Sequence, residues 1–283
     1  MSIPQVVLVT GCSAGGIGFA LCQEFAARGC KVYATARRLD AMATLTHPNI
    51  AQLRMDVTDD ASVKAAIAEL IEREGHIDIL VNNAGMTCTG PVIDVDDERI
   101  QRAFDTNVFG VVRTSRAVIP HMAARKSGSI VNIGSFVGEL TLPFAGIYAG
   151  TKAALHAITD ALYMECRPFN ISVVLVSSGG AQSDIIKREN QNAGPPPTTL
   201  FTNYLDVIRA RFDPNATSAG TPLDQYAREL VGKVLRTDPP RYFAIGYGST
   251  MIWVLRQFPR GFVYRLLWNQ MVEKPRAALA KSK

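Results

Sequence analysis

Tyr148 and Lys152 stand four residues apart in the run Tyr148-Ala149-Gly150-Thr151-Lys152. The apolar periodicity of Ala145–Arg167 predicts a helix there, and on a helix residues four apart share a face. A free tyrosine titrates near ~10 and exchanges protons poorly at neutral pH. A cation beside it stabilises the phenolate, so the pair suits general acid–base chemistry on an oxygen. A tyrosine and a lysine at this spacing are also common on solvated helix faces, so the reading depends on what surrounds them.

Two further stretches carry chemistry. Thr10-Gly11-Cys12-Ser13-Ala14-Gly15-Gly16-Ile17-Gly18 lies between an apolar run and a helical pattern. Glycines there let the backbone approach a pyrophosphate held on helix N-terminal amides, which is the arrangement a dinucleotide needs. Gly11, Ser13, Gly16, Ile17 and Gly18 are the expected contacts, and it stays open which of Gly15 and Gly16 faces the phosphates. After the second strand comes Ala36-Arg37-Arg38, where an NAD site would place an acid for the ribose 2′-hydroxyl. A guanidinium instead suits an adenosine 2′-phosphate, so NADP(H) is the expected cofactor. Arg37 is the first choice for that contact and Arg38 the second, with Ser13 assisting.

These residues need a scaffold, and the alternation along the chain supplies one. Strands are predicted at Val6–Thr10, Lys31–Ala36, Ile50–Met55, Ile77–Val81, Ser129–Ile133, Ile171–Ser177 and Arg241–Ala244. Helices are predicted over 17–28, 39–46, 60–74, 96–126 with a kink at Pro120, 145–167 and 224–235. Short buried strands alternating with longer helices imply a doubly wound parallel sheet with helices on both faces, an α/β Rossmann fold. Ligands then bind at the carboxyl ends of the strands. The 283 residues read as a single Rossmann-type domain. Residues 184–225, which include three consecutive prolines, form a substrate lid, and about 248–283 form a basic apolar C-terminal segment.

Together these motifs resemble the short-chain dehydrogenase/reductase family over roughly residues 5–185. Asn82-Asn83-Ala84-Gly85 resembles the family's NNAG element, and Asp56-Val57 resembles its adenine-contacting dipeptide. Asn107 lies where the family keeps a structural and proton-relay asparagine. Ser135 precedes Tyr148 by the family's spacing for its catalytic serine. The resemblance implies that Ser135 stabilises a carbonyl oxygen, that Tyr148 protonates it and that Lys152 holds the nicotinamide ribose. It also implies that Asn107 supports a water linking Lys152 to solvent, and that Asn83, Ala84, Gly85, Gly179 and Ser183 line the cofactor. Two departures stand out. The glycine turn is one residue longer than the family's, and the Pro-Gly pair after the sixth strand is here Ser178-Gly179, with Ser183 for the later threonine. Thr10–Ser13 with Tyr33–Arg37 resembles branches acting on lipophilic substrates: hydroxysteroid, retinol and 1-acyldihydroxyacetone-phosphate-reducing members.

Composition excludes several other classes. The chain is 47% hydrophobic and 19% charged, which suits a globular protein. Its net charge of +5 comes from the tail: Arg241 to Lys283 holds eight Lys/Arg and one acid, leaving 22 basic and 24 acidic groups in residues 1–240. No basic face for nucleic acid is expected on the body. Five scattered cysteines without a CxxC pair favour a reducing compartment, and four histidines without ligand spacing predict no metal site. No charged segment precedes the apolar run at Val6, which argues against a cleaved leader and for a cytoplasmic protein.

Met251–Val272 is apolar and aromatic but cut by Arg256, Pro259 and Arg260, too interrupted to span a bilayer. It suits either packing on the body, the lid or another subunit, or peripheral contact with an intracellular membrane or lipid droplet. The expected activity is NADPH-dependent carbonyl reduction or alcohol oxidation on a small hydrophobic partner, lipid-, steroid- or polyketide-like. The family resemblance implies a homodimer or homotetramer. The alternatives are a secondary-metabolite tailoring enzyme running oxidation or a coupled non-redox step, and a catalytically silent NADP-binding scaffold. Intact Ser135, Tyr148 and Lys152 argue against the scaffold.

Overall fold

The computed structural model describes residues 4–185, 199–211 and 220–281. Seven strands form one parallel sheet: β1 (Val6–Thr10), β2 (Lys31–Ala36), β3 (Ile50–Arg54), β4 (Ile79–Asn82), β5 (Gly128–Ile133), β6 (Ile171–Ser178) and β7 (Tyr242–Ile245). Their order is β3-β2-β1-β4-β5-β6-β7. The order reverses between β1 and β4, and that switch point opens a crevice at the strand carboxyl ends.

Alternation along the strands divides the core into two layers. Val7 and Val9 pack with Leu21 and Phe25 of α1 (Ile17–Ala27) and with Tyr226, Leu230 and Val231 of α7 (Leu223–Val234). Val6 and Leu8 face the other way, onto Val63 and Leu70 of α2 (Asp60–Glu74) and Val118 and Met122 of α4 (Gly110–Arg125). Each fully buried side chain of this kind contributes roughly 1.5–3 kcal/mol.

The predicted helix at 96–126 forms, but as three segments. α3 (Asp97–Phe104) begins where the Asp96 carboxylate accepts from the Arg99 amide at 2.8 Å. A π-helical turn, Asp105–Phe109, follows, and then α4, which ends at Lys126 in a left-handed conformation (φ 50°). The departure from α-helical pairing therefore lies at the π turn around Asn107, while Pro120 remains inside α4. α5 (Gly146–Glu165) carries the Tyr148/Lys152 face.

The helix expected at 39–46 is only a 3-10 turn, Asp40–Met42. Its carbonyls are spent elsewhere. Gln52 Nε2 donates to Met42 O (3.0 Å) and Leu45 O (3.1 Å), and the Ala14 amide donates to Ala41 O (2.8 Å). Tertiary partners have taken the groups a helix would pair internally.

Parts of the expected lid, residues 186–198 and 212–219, lie outside the described residues. Between them stands a short helix, α6 (Leu205–Arg211). The C-terminal segment forms α8 (Ser249–Leu255), α9 (Arg260–Trp268), a π turn (Asn269–Glu273) and α10 (Lys274–Lys281). Among the described residues no helix is long and apolar enough to cross a membrane.

Candidate active site

The glycine-rich turn is held from beneath by Thr10. Its hydroxyl accepts the amides of Asn83 (3.0 Å) and Ala84 (2.9 Å), and Asn83 Nδ2 donates back to Thr10 O (2.8 Å) and Gly11 O (3.1 Å). The first and fourth strand ends are thereby locked together at the switch point. Gly11 has φ +73°, and a Cβ there would stand 2.7 Å from the Ala84 backbone, so no other residue fits. Gly15 takes the left-handed turn (φ +74°) and Gly16 is the extended N-cap of α1, with no side chain capping the helix. Ile17 and Gly18 begin the helix. A Cβ on Gly18 would meet Asn83 Nδ2 at 2.5 Å, which keeps the helix start against the strand end.

This cradle has features that suit a pyrophosphate: a helix N-terminus with neither a side-chain cap nor an acid in its first turn, and glycines at 11, 15, 16 and 18. Asp184 lies beside it. Its amide donates to Gly15 O at 3.0 Å, and its carboxylate occupies the space a side chain on Gly15 would need.

At the end of β2, Arg37 is exposed with no acidic partner among the described residues, whereas Arg38 faces Asp40 at 3.7 Å, both heavily exposed. The acid an NAD site would place here is absent. Asp56 is fixed by Thr58, whose amide (3.0 Å) and hydroxyl (2.8 Å) donate to its carboxylate. Val57 packs beneath Gly110, directly after the π turn.

Lys152 is buried, and its Nζ donates to Ile133 O at 2.9 Å while standing 5.8 Å from the centre of the Tyr148 ring. Burial pulls its pKa down to about 8. Asn107, also buried, spends its side chain on structure. It accepts from the Met86 amide (2.8 Å) and donates to Met86 O (2.8 Å) and Thr151 Oγ1 (3.0 Å). Thr151 in turn donates to Tyr148 O at 2.7 Å. Asn107 therefore clamps the loop after β4 to the turn of α5 between Tyr148 and Lys152. Gly85 stands beside both, its missing Cβ 3.3 Å from Asn107 Oδ1 and 3.8 Å from Lys152 Nζ.

Ser135 lies two residues beyond β5 and caps a 3-10 turn, Phe136–Gly138, its hydroxyl 3.4 Å from the Val137 amide. The strand-end pair after β6 is held by a contact that the sequence did not advertise. Tyr226 of α7 donates to Ser178 Oγ (2.8 Å), which donates to Gly179 O (3.1 Å), in place of the ring constraint a proline would provide. Burial holds the Tyr226 phenol well above its ordinary pKa, so it stays a donor. Gly179 donates to Ile245 O at 2.6 Å, and Ser183 to Ala181 O at 2.8 Å through its amide. The sequence-predicted residues thus gather along one edge of the sheet, between the ends of β1, β2, β4, β5 and β6.

Three supporting groups were not singled out from the sequence. Asn82 and Asn132 pair across β4 and β5, with Thr114, Ser115 and Thr159 completing a buried network. Glu139 accepts from Ser177 (2.6 Å) and Tyr242 (2.9 Å) and pairs with Arg256 of the tail. His156 lies one turn beyond Lys152 on the same face of α5; its spacing from Lys152 was the available signal. Among the described residues no cluster of three metal-ligating side chains occurs.

Comparison with known proteins points the same way. The family described as short chain dehydrogenase matches residues 5–194. An NADPH-dependent 1-acyldihydroxyacetone phosphate reductase of Schizosaccharomyces pombe is 36% identical over 76% of this chain and 73% of its own length. A short-chain dehydrogenase of Hypocrea virens is 35% identical over 94% of this chain and 90% of its own. Among solved structures, a short-chain dehydrogenase from Streptomyces avermitilis superposes with a TM-score of 0.78 at 29% identity, covering 90% of this chain and 92% of that one. The matched stretch is the one that builds the crevice from Thr10 to Ser183, and by that likeness the chain belongs to the short-chain dehydrogenase family.

Proposed function

We propose that the protein is an NADPH-dependent carbonyl reductase, able to run in reverse as an alcohol dehydrogenase, whose substrate is a hydrophobic ketone of lipid-, steroid- or polyketide-like character. The observation that carries this is the buried Lys152 ammonium, set 5.8 Å from the Tyr148 ring at the carboxyl ends of the strands. The bound nicotinamide supplies the hydride chemistry. Ser135 Oγ donates to the carbonyl oxygen and Tyr148 Oη delivers the proton to it, with the nearby cation easing the loss of that proton. Lys152 also holds the ribose, and Asn107 supports a water that links Lys152 to solvent.

Gly11, Ser13, Gly16, Ile17 and Gly18 cradle the pyrophosphate. Arg37, backed by Arg38, takes the 2′-phosphate, and Asp56 and Val57 flank the adenine. Asn83, Ala84, Gly85, Gly179 and Ser183 line the nicotinamide end. The NADPH dependence of the Schizosaccharomyces pombe relative supports the choice of cofactor. The single-domain organisation with a lid over 184–225, and assembly into a homodimer or homotetramer, belong to the same proposal. So does peripheral contact with an intracellular membrane through the tail.

The test is a screen of NADPH oxidation across long-chain acyl ketones, steroids and aromatic polyketides, with NADH run in parallel. Tyr148→Phe is expected to abolish the signal, and Arg37→Asp to shift preference from NADPH towards NADH. Activity surviving in Tyr148→Phe would refute the assignment of the proton donor. An unchanged cofactor preference in Arg37→Asp would refute the phosphate site.

A further inference from the structure

Tyr148, Lys152 and His156 are spaced by four along α5, so one helix face presents all three to the end of β5. Three consecutive residues of that strand end rest on this face. Ile133 O accepts from Lys152 Nζ at 2.9 Å, and the Ser135 amide donates to His156 Nε2 at 3.3 Å. Between them Gly134 lies so close that a Cβ would collide with His156 Nε2. Further on, a Cβ at Gly138 would stand 2.8 Å from the Lys152 backbone, so the whole turn after Ser135 is seated on α5. An Nε2 that accepts a hydrogen bond carries no proton, so this imidazole is neutral, with its proton on Nδ1.

We propose that His156 is a positioning residue for Ser135, its neutral ring fixing the serine's backbone and hence the aim of its hydroxyl, and that protonation of the ring releases this hold. The proposal rests on the reading of Ser135 as the hydroxyl that meets the carbonyl oxygen. A protonated Nε2 would present N–H to the Ser135 N–H, donor against donor. The charged groups facing the ring are Lys152 and Asp160 of α5, Glu139 of the turn after Ser135 and Arg256 of α8. Burial, reinforced by Lys152 and Arg256 against the two carboxylates, lowers the His156 pKa. The ring therefore stays an acceptor at neutral pH and lets go only on acidification below the ordinary histidine value of about 6.5.

The contact is read directly in full-length protein carrying ¹⁵N-serine, with NADP⁺ present. The Ser135 amide proton is expected to move upfield as pH falls, with a midpoint below about 6.5, and to lose that response in His156→Gln, whose amide oxygen accepts without titrating. An amide that ignores pH, or that titrates identically in His156→Gln, overturns the proposal. Kinetics with NADPH and 2-tridecanone read the consequence. His156→Leu is expected to lower kcat about 10- to 100-fold, the scale of a small misplacement of a reacting group, with the KM for NADPH unchanged. His156→Gln is expected to restore most of kcat and remove the acid limb. An unchanged kcat in His156→Leu overturns the role. A wild-type enzyme inert towards the ketone, with the amide titration intact, would count against the proposed substrate class and leave the contact standing.

Discussion

Holding an ammonium at Lys152 works against the fold. In the unfolded chain the side chain titrates at 10.5, and burial brings it down to about 8. At neutral pH the native state therefore carries about 3 kcal/mol of destabilisation from this charge, offset in part by the bond to Ile133 O. The sign follows from proton counts: between pH 8 and 10.5 the unfolded side chain is protonated and the native one largely is not. The penalty is full below the native value and vanishes above the unfolded one. Lys152→Met is thus expected to raise the urea midpoint at pH 7 while abolishing NADPH oxidation, with the gain shrinking as pH rises through that window. Urea titrations at several pH values check it. A variant equally destabilised at pH 7 and above pH 10.5 would show that packing, not charge, sets the cost.

At the level of elements, the strands and helix that carry the site are joined by polar groups buried where strands would normally carry only apolar ones. Asn132 accepts from Asn82 Nδ2 at 2.9 Å and donates to Thr159 Oγ1 at 2.9 Å, so β4, β5 and α5 are joined beneath Ser135 and Tyr148. Asn132→Leu keeps the volume but strands the Asn82 and Thr159 partners, which costs about 1–3 kcal/mol. Urea unfolding is expected to show a lower midpoint at constant m-value, and an unshifted midpoint would mean the network contributes nothing net. This network also marks where sequence reasoning stops. The strand runs, the glycine turn and the Tyr148/Lys152 spacing follow from periodicity and local chemistry, and the strands formed within one or two residues of the expected bounds. Asn132 sits inside an apolar run and its partner Asn82 lies fifty positions away, so only strand register brings them together. The 39–46 segment fails for the same reason, since its carbonyls answer to Gln52 and Ala14, which local pattern does not reveal.

Across the whole molecule, the helices of the tail carry apolar side chains on two sides. One side packs inward. Ile252, Val263 and Leu267 cluster with Leu140, and Val272 sits with Phe144 and Ile208, where Trp268 joins an aromatic group with Phe144 and Tyr204. Arg256 reaches Glu139, so the tail is tied to the turn that follows Ser135. The other side stays open: Met251, Trp253, Phe258 and Phe262 are each about half exposed. Arg260 and Arg265 flank them, in a segment whose excess of basic residues leaves the body slightly acidic. An apolar, aromatic face edged by guanidinium groups suits an anionic bilayer surface, where burying the exposed half of each such side chain contributes on the order of 1 kcal/mol. Full-length protein is therefore expected to float with phosphatidylserine-containing vesicles at low salt and to stay behind with neutral phosphatidylcholine vesicles. The triple change Trp253→Ala, Phe258→Ala, Phe262→Ala removes outward side chains only, so it should abolish flotation while leaving the urea midpoint near wild type. Protein that ignores the anionic vesicles at low salt would end the membrane reading and leave the tail as a packing element alone.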